Sequence, residues 1–132
     1  MFDMRTLKPI SSAPVHKAAI NFLEFSSEGL LVTGSADKTI QAFDLSNLQK
    51  PAAQMRTTDA VFCGETLGSL VVTGCGDGNL LVFDISRSDE PLYGFGADNV
   101  GALHCLKIAA DRKSIVTGGD SGQALKLNFS GF

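Results

Sequence analysis

An all-β chain of three repeated units is the fold class this sequence predicts, and three observations carry it. A Thr-Gly pair recurs at Thr33-Gly34, Thr73-Gly74 and Thr117-Gly118, at spacings of 40 and 44 residues. A Phe-Asp pair recurs at Phe43-Asp44 and Phe83-Asp84, 40 apart, with the weaker Leu127-Asn128 another 44 on and Phe2-Asp3 lying 41 before Phe43. No segment keeps an apolar period of 3.6 over ten or more positions, so helices have no support. Two independent markers holding one period of about forty residues identify a repeat.

Aligned on those markers, three segments stand out: "LLVTGSADKTIQAFDLS", "LVVTGCGDGNLLVFDIS" and "SIVTGGDSGQALKLNFS". Each reads as strand, turn, strand. The turns carry Gly, Asp and small polar residues, which accept positive φ or close Asx turns. In the first two segments neither strand alternates cleanly with polar residues, as expected of strands covered on both faces. Upstream of each pair lies another apolar stretch. It is Ile20 to Phe25 before "SSEG", a short Ala60 to Cys63 before "GETLGS", and Val100 to Ile108 before "AADRK". Segments around Pro9, Pro51 and Pro91 separate the units, and proline suits an edge strand or its flank because it cannot donate to a ladder. The unit is therefore four short strands, and a single domain over 1–132 divides into repeats at about 4–45, 46–85 and 86–129.

The composition agrees. The chain has 132 residues, 44% hydrophobic and 19% charged, enough to bury a core and too apolar for intrinsic disorder. Net charge is −3 and no basic run exceeds the pair Arg112-Lys113, so a phosphate footprint, and with it a nucleic-acid partner, has no support. Apolar runs such as Leu80 to Phe83 are far too short to span a bilayer, and no membrane partner is expected. The start, Met-Phe-Asp-Met-Arg, lacks the basic and apolar regions of a secretory signal. Three cysteines, Cys63, Cys75 and Cys105, form no CxxC and no even set; a reducing, intracellular setting, cytoplasmic or nuclear, is the expectation.

With these residues in place, the chain resembles the WD-repeat family, whose repeat of about 40–45 residues supplies four strands to a β-propeller blade. The first unit carries the resemblance best: His16 stands four residues before Ile20 and nine before Phe25, followed by "SSEG", Thr33-Gly34-Ser35, Asp37 and "TIQAFDL". The resemblance implies an all-β fold of β-propeller blades, each of four antiparallel strands, about three blades in all, hence a partial propeller. It also implies a buried hydrogen-bonded set of His, Ser or Thr, Asp and Trp within a blade. By position these are His16, Thr33, Asp37 and Phe43, where Phe replaces Trp and has no N–H to donate. The second unit keeps Thr73, Asp77 and Phe83 but has no matching His. The third puts Asn99 at the His position, sets Asp120 one place early and ends on Leu127-Asn128. Three units are too few for a closed ring of four to eight blades. The expected resolutions are a larger propeller of which this chain is part, or association of copies, two of them closing a ring of six.

No constellation of catalytic chemistry emerges. His16 as a general base or ligand is outweighed by its within-blade role, and Asp37 and Asp77 follow Gly-bearing turns where a carboxylate caps backbone N–H groups. His104-Cys105 are neighbours on a strand and point to opposite faces, so they do not chelate one metal ion, and no CxxC or HxxxH completes a zinc site. The Gly-rich "TGCGDGN" and "TGGDSGQ" lead into apolar strands rather than helix N-termini, unlike phosphate-binding loops. No cofactor, metal or enzymatic activity is expected. In the family, the residue before the turn Asp is an exposed contact position; here these are Ala36, Gly76 and Gly119, all small and unlike the Trp, Tyr and Arg that dominate interface energies. Arg56, Arg87 and Tyr93, in the segments between units, are the further candidates for a rim contact. The resemblance thus implies a non-catalytic scaffold or adaptor for other proteins. The alternative is a self-associating structural unit, or a piece whose function lies in a longer protein.

Overall fold

The computed structural model describes residues 15–48, 50–86 and 90–128. Among these the chain forms eleven strands and no helix, in three antiparallel sheets. The first sheet is β1 (Ile20–Phe25), β2 (Leu31–Ser35), β3 (Thr39–Phe43) and β4 (Ala53–Arg56), in that order across the sheet. The second repeats the order with β5 (Val61–Leu67), β6 (Leu70–Cys75), β7 (Asn79–Asp84) and β8 (Tyr93–Gly96). The third has three described strands, β9 (Leu103–Ile108), β10 (Ser114–Gly119) and β11 (Ala124–Asn128). These are blades of a propeller-like arrangement, with the all-β class and the four-strand unit expected from the repeat.

The sheets and the sequence units run out of phase. The Pro51 and Pro91 segments lead into β4 and β8, which open the second and third units in sequence but complete the preceding sheet. One structural difference concerns β5. The sequence suggested a short strand to Cys63 and a turn over "GETLGS", yet the strand continues to Leu67 and the turn shrinks to Gly68-Ser69, with Leu67 facing Leu70. Gly68 adopts φ +61, which suits the first central position of a two-residue hairpin loop. The third inner strand begins at Leu103, later than the apolar stretch from Val100 suggested.

The sheets stack face to face in chain order, which explains the missing polar alternation. In β6, Val71 and Cys75 point to the first sheet and Val72 to the third. Val32, Ile40, Ala42 and Met55 meet Val61, Val71, Leu81 and Phe83 in one core. Cys63, Val72, Leu80 and Val82 meet Leu103, Leu106 and Ile115 in the next. A sheet covered on both sides leaves no strand face for polar residues.

A β-bulge recurs in each innermost strand, around Asn21, Phe62 and His104. Each bulge adds a residue and re-aims the one after it. Phe22 thereby lies over Gly34 of its own sheet and reaches Gly64 of the next; a Cβ at either glycine would fall inside its ring. Cys63 lies over Gly74 and Cys105 over Gly118 in the same way, with Sγ 2.6 and 3.1 Å from where a Cβ would sit. The glycine of each Thr-Gly pair is thus the seat of a side chain from the neighbouring inner strand.

Candidate functional site: polar sets and turns at one end of the sheets

The turns β2–β3, β6–β7 and β10–β11 and the three bulges lie at corresponding positions in the three units, and each turn is fastened differently. In the first sheet, the side chain of His16 is fully buried and that of Asp37 is 10% exposed. His16 Nε2 lies 2.6 Å from the Thr33 hydroxyl, and Nδ1 lies 2.9 Å from Asp37 Oδ2. An ionised carboxylate only accepts, so Nδ1 carries the donated proton. Asp37 also accepts from the Lys17 N–H at 3.0 Å, the Thr39 N–H at 3.0 Å and the Thr39 hydroxyl at 2.5 Å. Burial works to raise the Asp37 carboxyl, but the Thr39 hydroxyl, the Lys17 N–H and His16 together hold it at about 2. The Gln41 carbonyl lies 3.5 Å from the Thr33 hydroxyl, as a longer alternative acceptor for its single proton. Phe43 is 1% exposed and sits in the sheet as an apolar residue, outside this polar network.

Thr39 is the member that sequence reasoning missed. Its hydroxyl lies 3.0 Å from His16 Nδ1 as well as bonding Asp37. A Thr two residues after a turn Asp is a readable Asx-type signal, since both its N–H and its hydroxyl can reach that carboxylate.

The second sheet does not bring Thr73 and Asp77 together. Thr73 donates to the Leu81 carbonyl at 3.3 Å, and Asp77 accepts from the N–H and side-chain amide of Asn79, both at 3.1 Å. Asn79 reaches Thr58 at 3.4 Å and so ties this turn to the segment before β5. Phe83 is fully buried in the core between the first two sheets.

The third sheet uses a different residue from the expected Asn99, which is exposed. Its neighbour Asp98, 7% exposed, accepts from the N–H groups of Val100 and Gly101 at 2.9 and 3.0 Å and of Ser121 at 3.0 Å. The Ser121, Gly101 and Val100 N–H groups hold its carboxyl well below the usual carboxylate range. Asp120 accepts from the Ala102 N–H at 2.9 Å and pairs with His104 Nε2 at 2.6 Å. The first of these, followed by His104, holds the Asp120 carboxyl below its ordinary value. Here two carboxylates perform the fastening that one histidine and one carboxylate perform in the first sheet. Nothing in the Thr-Gly register marks Asp98, because it stands one place before Asn99, the position that aligns with His16.

Of the expected contact positions, Ala36, Gly76 and Gly119 are half-buried, while Arg56 and Tyr93 are exposed on β4 and β8. Arg87 lies outside the described residues. The bulges add a feature that sequence reasoning did not find: Phe62 and His104, from adjacent sheets, bring their rings to 5.5 Å, and Asn21 of the first sheet donates to the Val61 carbonyl at 2.7 Å. Among the described residues no group of three or more His, Cys, Asp or Glu is placed to hold a metal ion. The buried thiols are weak acids: burial pushes Cys63 up to about 12 and Cys75 to about 11.

Comparison with known proteins bears on this geometry. The family model for the WD domain, G-beta repeat, matches residues 7–44, the unit that holds His16, Thr33, Asp37 and Thr39. Among solved structures, the crystal structure of the computationally designed Ika8 protein superimposes with a TM-score of 0.73 at 18% identity. The match covers 86% of this chain and 34% of that one, so this chain spans about a third of the length of its structural neighbour.

Proposed function

We propose, from the match of residues 7–44 to the family model for the WD domain, G-beta repeat, that this chain is a non-catalytic scaffold that presents the strand-connecting end of its sheets to other proteins. WD-repeat domains in general mediate protein–protein interactions. The observation that carries the reading is the rigid fastening of the turns by Asp37, Asp98 and Asp120, each tied to the segment that enters its own sheet. A turn held in this way loses little conformational freedom on binding, and preorganisation is what a recognition surface needs. Beside the small residues Ala36, Gly76 and Gly119, the exposed His104, with its ring 5.5 Å from that of Phe62, offers a side chain for contact. Partners of this reading are other proteins, without nucleic acid or membrane, and the setting is intracellular, cytoplasmic or nuclear.

The test is affinity capture with the intact chain. A stoichiometric heterologous protein retained by the parent and released by His104→Ala supports the reading. Retention that is unchanged in that variant, or nothing retained above a bait-free control, overturns it.

One observation favours the second reading, a self-associating unit. Leu23 and Phe25 on β1 are 58% and 56% exposed and, with Leu31, Leu45, Leu48 and Glu24, line an open cavity of about 360 Å³. A defined homo-oligomer by light scattering, dispersed by Phe25→Glu, would establish it.

A further inference from the structure

Neighbouring sheets are tied together along their innermost strands, and the two junctions are tied unequally. Between the first and second sheets the ties are polar and well formed. Asn21, the bulged residue of β1, donates its side-chain amide to the Val61 carbonyl at 2.7 Å, and the Thr66 hydroxyl donates to the Phe25 carbonyl at 2.7 Å. The Ser27 N–H adds a bond to the Gly68 carbonyl at 3.3 Å. The Phe22 ring, lying across Gly34 and Gly64, seals the same junction.

One sheet further on, the residues at the equivalent register positions cannot form those ties. Phe62 stands where β1 has Asn21 and has no polar hydrogen to give; Ile108 stands where β5 has Thr66 and has no hydroxyl. Cys63 takes the place of the Phe22 ring, and its thiol reaches the Leu103 carbonyl only at 3.8 Å. Lys107 meets Glu65 at 3.6 Å, but its side chain is 80% exposed and solvent screens the pair. Repulsion between Glu24 and Glu65 acts the other way near neutral pH, one pair against three hydrogen bonds and a seated ring. Both junctions share one further tether, at the linker that enters the next sheet. The Thr57 N–H bonds the Lys38 carbonyl at 3.0 Å, and the Ala97 and Asp98 N–H groups bond the Gly78 carbonyl at 3.0 and 3.1 Å. What closes the second junction is therefore mainly apolar packing, of Val72, Leu80 and Val82 on Leu103, Leu106 and Ile115.

We propose that the junction between the second and third sheets is the joint at which this molecule opens, pivoting where the 97–102 segment is held to Gly78, and that opening parts Phe62 from His104. Those two rings come from opposite sides of the joint and lie 5.5 Å apart across it. The contact surface they form exists only in the closed molecule. A protein partner that grips both rings binds the closed form alone and so draws the joint shut, at the cost of the open population. The device regulates the surface on which the scaffold reading rests.

Two buried thiols report on the two junctions separately. Cys75 belongs to the core between the first and second sheets, and Cys63 to the core between the second and third. Each reacts with an alkylating reagent only when its own junction opens. The intact chain is alkylated with iodoacetamide in urea below its unfolding transition, and each thiol is followed by peptide mass. Cys63 is expected to label on the order of tenfold faster than Cys75. Asn21→Ala combined with Thr66→Val removes both side-chain ties of the first junction at positions outside the apolar cores. It is expected to speed Cys75 several-fold and leave Cys63 unchanged. His104→Ala, which removes the ring contact, is expected to speed Cys63 alone. Equal rates for the two thiols, or a faster Cys75, overturn the proposal, as does a Cys75 rate indifferent to the Asn21 and Thr66 substitutions. A Cys63 rate unchanged in His104→Ala overturns the link between the joint and the contact surface. None of these measurements needs a partner. An empty affinity capture therefore removes the scaffold reading and leaves the joint standing, while equal thiol rates remove the joint and leave the capture result standing.

Discussion

Asp37 shows how much of the first sheet's end depends on one carboxylate. It accepts from Lys17, twice from Thr39 and from His16, and loses those interactions when protonated. Its folded-state value of about 2 lies below the ordinary 3.8, so its contribution to stability is present above about pH 4 and is lost as pH falls through about 2. Asp37→Asn is therefore expected to lower stability near neutral pH by about 2 kcal/mol, the cost of weakening charge-assisted bonds at a part-buried site. The difference from the parent should shrink in urea titrations repeated at successively lower pH; a constant gap would mean that the charge is not the cause. Lys38 makes the opposite case. It holds φ +71 at the position where the second and third turns place Gly78 and Gly122, at φ +84 and +76. The left-handed region costs a side chain roughly 1 kcal/mol or more, partly offset by the extra freedom glycine brings to the unfolded chain. Lys38→Gly is expected to stabilise by about 0.5 kcal/mol, seen as a higher thermal midpoint.

The recurring element is a bulged inner strand whose next residue presses on the glycine of the following strand. Gly34→Ala drives a Cβ into the Phe22 ring with Val61 behind it, whereas Gly118 faces only the Cys105 thiol on an open side. The first change is expected to cost about 2–4 kcal/mol and the second under about 1 kcal/mol. Adding Phe22→Ala to Gly34→Ala should return part of the loss, because the two positions share one space. The same geometry orders the thiols. Cys105, exposed on the open face, should react with an alkylating reagent at once, while Cys63 and Cys75, buried and pushed to about 12 and about 11, should react only on unfolding. Two or three thiols labelled rapidly in the native protein would refute the packing. Much of this element was legible in the sequence: the Thr-Gly period, the hairpins and the polar residues Thr33 and Asp37. Why the glycine recurs was not, because Phe22, Cys63 and Cys105 share a position without sharing chemistry, and a bulge shifts them out of simple alternation. Asp98 escaped for a similar reason, since a carboxylate gripping backbone N–H groups replaces a histidine and leaves no common residue type to align.

At the scale of the whole chain, what joins the three sheets is partly electrostatic. Glu24, Glu65 and Lys107 stand opposite Val32, Val72 and Val116, the same register position in each innermost strand. Lys107 Nζ lies 3.6 Å from Glu65, and Glu65 in turn hydrogen-bonds Glu24, so the row spans all three sheets. Two carboxyl groups that share a hydrogen bond cannot both ionise without repulsion. The bond to Glu65, followed by burial and the charge of Glu65, raises the Glu24 carboxyl above its ordinary 4.5, while Lys107 acts in the opposite direction. A raised folded-state value means that the stabilisation is fully present below pH 4.5 and is lost as pH climbs through the raised value. Near neutral pH the pair therefore strains the junction between the first two sheets, relieved only in part by Lys107, which is 80% exposed and well screened. Glu24→Gln keeps a donor for Glu65 and removes one charge. It is expected to raise stability near neutral pH by about 0.5 kcal/mol, the usual scale of an exposed like-charge contact, and to leave stability at pH 4 nearly unchanged. Lys107→Gln should do the reverse, lowering stability near neutral pH and having little effect in acid. Thermal midpoints of the parent and both variants between pH 4 and pH 8 decide the matter: three parallel curves would show that the row does not couple the sheets, and a divergence that opens only on the alkaline side would show that it does.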